Sequence, residues 1–225
     1  MLILVKMKNT NENTIIIVCL FFIFIVLIGF GCYRYGIDNT KYIKSSAYGK
    51  EYKVRVFENF DTMTESADYL GDISNRIDEI VNYMHDFKLP NSTISNRIYS
   101  RWKKCVLRET HSSEKSAAYT VNKGEELRLC IRDPSNNLEN KNTSMFVILH
   151  ELAHIMSDSY GHNEEFKNNF NFIVHLATAL GKYKPEYFHN EPVEYCGTEI
   201  NTTPCSYGTC NYTSIPFTGP VNSLK

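Results

Sequence analysis

Residues 147–155 read V-I-L-H-E-L-A-H-I, and this stretch decides how the rest of the chain is read. His150 and His154 are four positions apart, so a helix brings both onto one face, where they can grip a single ion. Glu151 stands one position round, beside that face, within reach of a metal-activated water without being a ligand. The segments Phe146–Leu149 and Leu152–Met156 are otherwise uncharged. Burying three ionisable groups among apolar neighbours is costly unless something pairs them, and a shared metal ion would do so. Such an ion lowers the pKa of a water to about 7, and a nearby carboxylate takes the proton. The bland alternative is two helix-surface histidines with a solvated glutamate between them.

A catalytic zinc needs a third protein ligand and one open position. His162 is the first choice. If the helix ran straight on, His162 would lie too far along the axis to share the ion. The helix must therefore stop, and Gly161 is the residue that permits a reversal. Glu165, His175 and His189 are the rival ligands. His175 falls off the apolar stripe of its own helix, which fits a surface or internally satisfied histidine.

Working outward, the zinc helix is expected from about Thr143 to Ser157, with Asn142 or Thr143 as its N-cap. A second helix follows from Asn163 to Leu180. Asn163 is its cap, Glu164 and Glu165 complement the dipole, and Gly181 ends it. Upstream, Glu126–Arg132 (ELRLCIR) alternates apolar and charged residues and predicts a half-buried strand. Glu51–Phe57 (EYKVRVF) predicts another. Thr62–Phe87 carries apolar residues at helical spacing, weakened at Gly71 and closed by Pro90. Asn96–Leu107 is ambiguous with a lean to strand, and His111–Asn122 reads as a polar loop. From Lys182 onward five prolines predict mostly irregular chain.

The N-terminus has a different character. Asn13 to Tyr33 holds no charge, and Ile15–Phe30 reads IIIVCLFFIFIVLIGF. A helix of roughly 20 residues spans the hydrocarbon core of a bilayer, so a single-pass anchor over 15–33 is expected. A cleaved signal peptide is the other reading, with Lys6 and Lys8 before the apolar run and Gly29 and Gly31 near a cut. Flanking charges favour a cytoplasmic C-terminal domain by one charge only, and the sequons at Asn91, Asn142, Asn201 and Asn211 do not decide the side. The expected division is tail 1–14, anchor 15–33, stalk 34–50, catalytic domain 51–200 and an irregular tail 201–225.

The seven cysteines form no CxxC pair, which disfavours a zinc ribbon. Cys196, Cys205 and Cys210 are candidates for one disulfide, with Cys105 and Cys130 the other thiols of the domain. The formal net charge of −1 offers no global reason to bind nucleic acid. Eleven glycines and seven prolines among 225 residues exclude collagen-like and low-complexity classes.

The pattern HELAH-x6-GH-x3-F, from His150 through Gly161–His162 to Phe166, resembles the WLM and SprT-like zincin metallopeptidases. Gly124–Arg132 resembles the strand before the zinc helix there. The likeness runs on through Gly181-Lys-Tyr to Glu194-Tyr-Cys-Gly197, and the longer pattern is similar to WLM-like metallopeptidases encoded by large DNA viruses. It covers roughly residues 50–200. The resemblance implies an α+β zincin-like fold, with a small antiparallel or mixed sheet packed on helices. It implies one zinc held by His150, His154 and His162, with Glu151 as general base. Two features depart from it: the GH follows after six residues, and the DNA-binding tails of repair members are missing. By the same likeness the strand at 126–132 would pair with extended substrate through Leu129, Cys130 and Ile131, and Tyr195 is a candidate oxyanion donor. The leading expectation is a membrane-anchored zinc metalloprotease acting on protein or peptide, with no nucleic acid as partner. The second is a zinc-binding structural protein of a membrane or virion, without turnover.

Overall fold

The structure, a computed structural model, describes residues 14–28, 39–111, 113–114 and 116–202. The chain divides into two compact units, Met1–Asn39 and Thr40–Lys225. In the first, residues 14–28 form helix α1. Among the described residues no helix is long and apolar enough to cross a membrane. The anchor expected over 15–33, and the membrane localisation read from it, are therefore unsupported; residues 29–33 lie outside the described part.

The second unit opens with β1 (Thr40–Lys44) and β2 (Glu51–Arg55), an antiparallel pair. The stretch read as a stalk thus contains a strand. Its signal was faint, because only Ile43 of its five residues is buried. In β2 the alternation works as expected, with Tyr52 and Val54 turned inward. Helix α2 (Phe60–Asp86) starts at Asn59, whose side chain accepts the Asp61 N–H. It runs straight through Gly71, where a Cβ would come within 2.5 Å of the Tyr48 ring. The glycine marks a close approach of loop to helix, and not a break.

Of the stretch Asn96–Leu107, expected to lean towards strand, the first part belongs to helix α3 (Ser92–Trp102), capped by Asn91, and only Val106 and Leu107 are strand. The buried residues of α3, Ser95, Ile98 and Trp102, are spaced three and four apart, a helical stripe too short to read alone. Next come β3 (Val106–Thr110), β4 (Ala118–Val121) and β5 (Glu126–Cys130), then α4 (Lys141–Met156), α5 (Glu164–Ala179) and a hairpin of β6 (Val193–Tyr195) and β7 (Thr198–Ile200). The segment read as polar loop, 111–122, thus holds β4.

The five-stranded sheet has the order β1-β2-β3-β5-β4. β2–β3 and β3–β5 are parallel, while the outer pairs β1–β2 and β4–β5 are antiparallel. The fold is therefore a mixed α/β arrangement. Leu127 and Leu129 of β5 point into a core shared with α2 and with α4, whose Ile148, Leu149 and Leu152 are fully buried. The opposite face carries half-buried charges, with Arg108 and Arg128 paired to Glu126 at 3.2 and 2.8 Å.

A disulfide joins Cys130 at the end of β5 to Cys196 in the β6–β7 turn. The pairing differs from the expected one among Cys196, Cys205 and Cys210; the last two lie outside the described residues. Sequence proximity suggested the wrong partner, because sheet and hairpin meet only after folding. Closing a 66-residue separation restricts the unfolded chain, an effect of about 2–4 kcal/mol. The Cys130→Ser/Cys196→Ser double variant should therefore unfold in urea with a free energy lower by about that amount. Identical midpoints would show that the bond adds nothing to stability.

Candidate metal centre

Helix α4 starts earlier than expected. Asn140 is the cap, its side chain accepting the N–H groups of Asn142 (2.8 Å) and Thr143 (3.3 Å). Asn142 is engaged elsewhere, donating to the Lys184 carbonyl and the Glu186 carboxylate and accepting the Lys184 N–H, each at 2.8 Å. From this start the helix carries His150 and His154 one turn apart. It ends at Ser157, and Gly161, at φ +80°, turns the chain back. The reversal brings His162 to the pair.

The ring atom Nε2 of His162 lies 3.0 Å from that of His150 and 3.2 Å from that of His154. One ring nitrogen from each of the three histidines falls within 4.8 Å of the others. Phe166, four residues beyond His162, is the platform for all three. Its ring centroid is 4.8, 4.3 and 4.6 Å from those of His150, His154 and His162. Burial first, then the neighbouring His154 and His162, pushes His150 down to about 3. Burial, His162 and Lys123 push His154 down to about 4. Both are therefore neutral at physiological pH, which is the form that ligates a metal. For zinc bound at 2.0–2.1 Å, tetrahedral ligand nitrogens would sit about 3.3 Å apart, so the two short separations and the donor set fit that ion.

Glu151 is 8% exposed and lines the same cleft, of about 510 Å³, as the three histidines. Burial raises its carboxyl to about 7, against a backbone hydrogen bond from Thr120 that lowers it. That bond ties the glutamate to β4. Because the Cys130 N–H donates to the Ala117 carbonyl (2.9 Å), odd-numbered residues of this strand turn their backbone groups towards β5. Those of Ala118 and Thr120 face the open edge. Ala118, Tyr119 and Thr120 line the cleft, as do Ser159, Tyr160 and Gly161.

The cleft corrects two expectations. Leu129, Cys130 and Ile131 are not among the residues that line it. Leu129 and Cys130 belong to β5, an internal strand between β3 and β4, and all three are fully buried. Tyr195, the candidate oxyanion donor, is not among the lining residues either. It is fully buried, donates to the Cys130 carbonyl (2.6 Å), and shares a hydrogen bond with the Ser144 hydroxyl (2.8 Å). Its hydroxyl links β5 to α4, away from the residues of the cleft.

The rival ligands are engaged or remote. His175 is buried, with Nδ1 2.8 Å from the Asn171 carbonyl. His189 is exposed and outside the cleft lining. The Glu165 carboxylate accepts the Ser159 hydroxyl and the N–H groups of Asp158 and Ser159, which hold it down at about 2. The edge strand β4 was missed, as was Lys123. The adjacent Asn122-Lys123-Gly124 turn, with all three residues at positive φ, was the available hairpin signal.

Fold and site together define a mixed α/β domain with a three-histidine centre beside a buried carboxylate. The chain belongs to the family of the uncharacterized protein R325 of Acanthamoeba polyphaga mimivirus. The two are 33% identical over 172 residues, covering 73% of this chain and 84% of that protein. Shorter matches link it to the uncharacterized protein 136R of Invertebrate iridescent virus 6, 33% identical over 35% of this chain and 45% of that one. Protein 042R of Invertebrate iridescent virus 3 is 41% identical over 32% of this chain and 45% of its own. No family model matches. Among solved structures, Wss1 from Saccharomyces cerevisiae is similar with a TM-score of 0.42 and 16% identity, over 57% of this chain and 89% of that one.

Proposed function

We propose that the chain is a zinc-dependent metallopeptidase of the zincin kind. The observation that carries this reading is the convergence of three imidazole nitrogens beside Glu151, in a cleft rimmed by β4, the edge strand of the sheet among the described residues. His150, His154 and His162 would hold the ion. When bound, zinc supplies Lewis acidity, polarising a carbonyl and making a nucleophile available near neutral pH. Glu151 takes a proton at its carboxylate and returns it to the leaving amine. The Thr120 N–H orients that carboxylate. The outward-facing backbone groups of Ala118, with the Thr120 carbonyl, offer an extended peptide a strand to pair with. Sequence recognition would then come from side chains along the rim, Tyr119 and Tyr160 among them. An ion held for structure alone would need neither a carboxylate beside it nor an open cleft.

The test is metal content by elemental mass spectrometry, together with cleavage of an unfolded protein such as casein, on the full chain. About one zinc per chain is expected, with cleavage that a chelator stops and added zinc restores. A folded chain that takes up no zinc on reconstitution would overturn the reading.

A further inference from the structure

The loop that returns His162 is held from both sides by charged groups outside the three-histidine cluster. Glu165, in the first turn of α5, accepts the N–H of Asp158 at Oε1 (2.8 Å) and the N–H of Ser159 at Oε2 (3.0 Å). Lys123, in the β4–β5 turn, donates to the carbonyls of Ser157 (3.1 Å), Asp158 (2.6 Å) and Ser159 (2.8 Å). Asp158 and Ser159 thus have both backbone groups claimed, the N–H by an anion and the C=O by a cation. Two further cations reach in from α3. Arg97 donates to the Met156 carbonyl (2.5 Å) and Arg101 to that of Ile155 (2.6 Å). Five consecutive carbonyls, Ile155 to Ser159, are therefore taken by three basic side chains from two other elements.

A helix end on a surface is ordinarily completed by water or by its own turn. Here charged groups complete it, although charged hydrogen bonds demand fixed geometry. We propose that Glu165 and Lys123 are positioning residues for His162, locking the loop so that the third imidazole arrives already aligned. The inference rests on the metal reading above. Its physical basis is conformational entropy. Ordering an unrestrained backbone residue costs free energy, and a site whose competent form is only partly populated binds more weakly by that fraction. Lys123 adds a second consequence. It sits in the hairpin that carries β4, so the substrate edge and the metal loop are tied through one ammonium group.

The experiment compares zinc affinity, by competition with a chromogenic chelator, in the full chain and in Glu165→Ala and Lys123→Ala. Glu79→Ala serves as control, because Glu79, on α2, pairs with Lys182 beyond the end of α5 and neither lines the cleft. Loss of about 10–100-fold is expected in the first two, the range seen when outer partners of metal ligands are removed, with none in the control. Cobalt loading gives a spectroscopic signature. Weaker visible bands in Glu165→Ala would report a third imidazole replaced by water. Lys123→Arg, which keeps a cation, should recover part of the affinity. If the alanine variants melt far below the parent when metal-free, Glu165→Gln and Lys123→Met carry the comparison. Affinities equal to the parent's would overturn the proposal and leave the metal reading standing. A parent that takes up no zinc would overturn both.

Discussion

Replacing Glu151 by Gln should leave zinc in place and lower peptide hydrolysis by about 10²–10⁴-fold, the usual contribution of a positioned general base. Gln has the same shape and retains an oxygen to accept the Thr120 N–H, so the cleft should keep its form. The three imidazoles are untouched, so metal content should match the parent's. The variant loses only the ability to take a proton. Glu151 also leaves a mark on metal uptake. In the metal-free protein burial raises its carboxyl to about 7, so near pH 6 it carries a proton. An arriving dication favours the carboxylate and drives that proton off. Zinc titrations at pH 6 in buffers of different ionisation enthalpy should show more protons released by the parent than by Glu151→Gln. Above pH 8 the difference should vanish, because the carboxyl is already ionised. Full turnover in the variant would eliminate Glu151 as the base.

His162→Ala should strip the metal from a protein that remains folded. His162 is exposed, on the loop beyond Gly161. Truncating a surface residue usually changes stability by no more than about 0.5 kcal/mol. Its contacts are the other two imidazoles and the Phe166 ring. Two histidines one helical turn apart remain, which is one ligand short of a catalytic site. Zinc affinity should therefore fall by more than the about 10–100-fold attached to outer partners, with the metal-free melting temperature nearly unchanged. His189→Ala, at another exposed histidine, should retain the parent's zinc. Equal retention in His162→Ala would mean that another group completes the site.

Much of this centre is legible in the chain itself. Spacing of four places His150 and His154 on one helical face, and a glycine followed by histidine signals a reversal that returns a third histidine. The apolar periods of α2 and α5 and the alternation in β2 and β5 also stand out, because each reflects burial of one face. The edge strand was hidden for the converse reason. All four residues of β4 are half-buried, so no alternation distinguishes them from a polar loop. Period 2 in β5 reveals which side chains point inward but not which strands flank it. That depends on β3 and β4, brought alongside by pairing between distant segments. The same holds for Tyr195, whose hydroxyl meets Cys130 across 65 residues, and for the disulfide between Cys130 and Cys196. It holds again for Lys123, which reaches carbonyls 34 to 36 positions away. Local spacing along 150–166 determined the three-histidine cluster and the carboxylate beside it, because helix geometry is set by near neighbours. Which strand borders the cleft, and what holds the returning loop, only the tertiary structure decided, because both depend on contacts made after distant parts of the chain have packed.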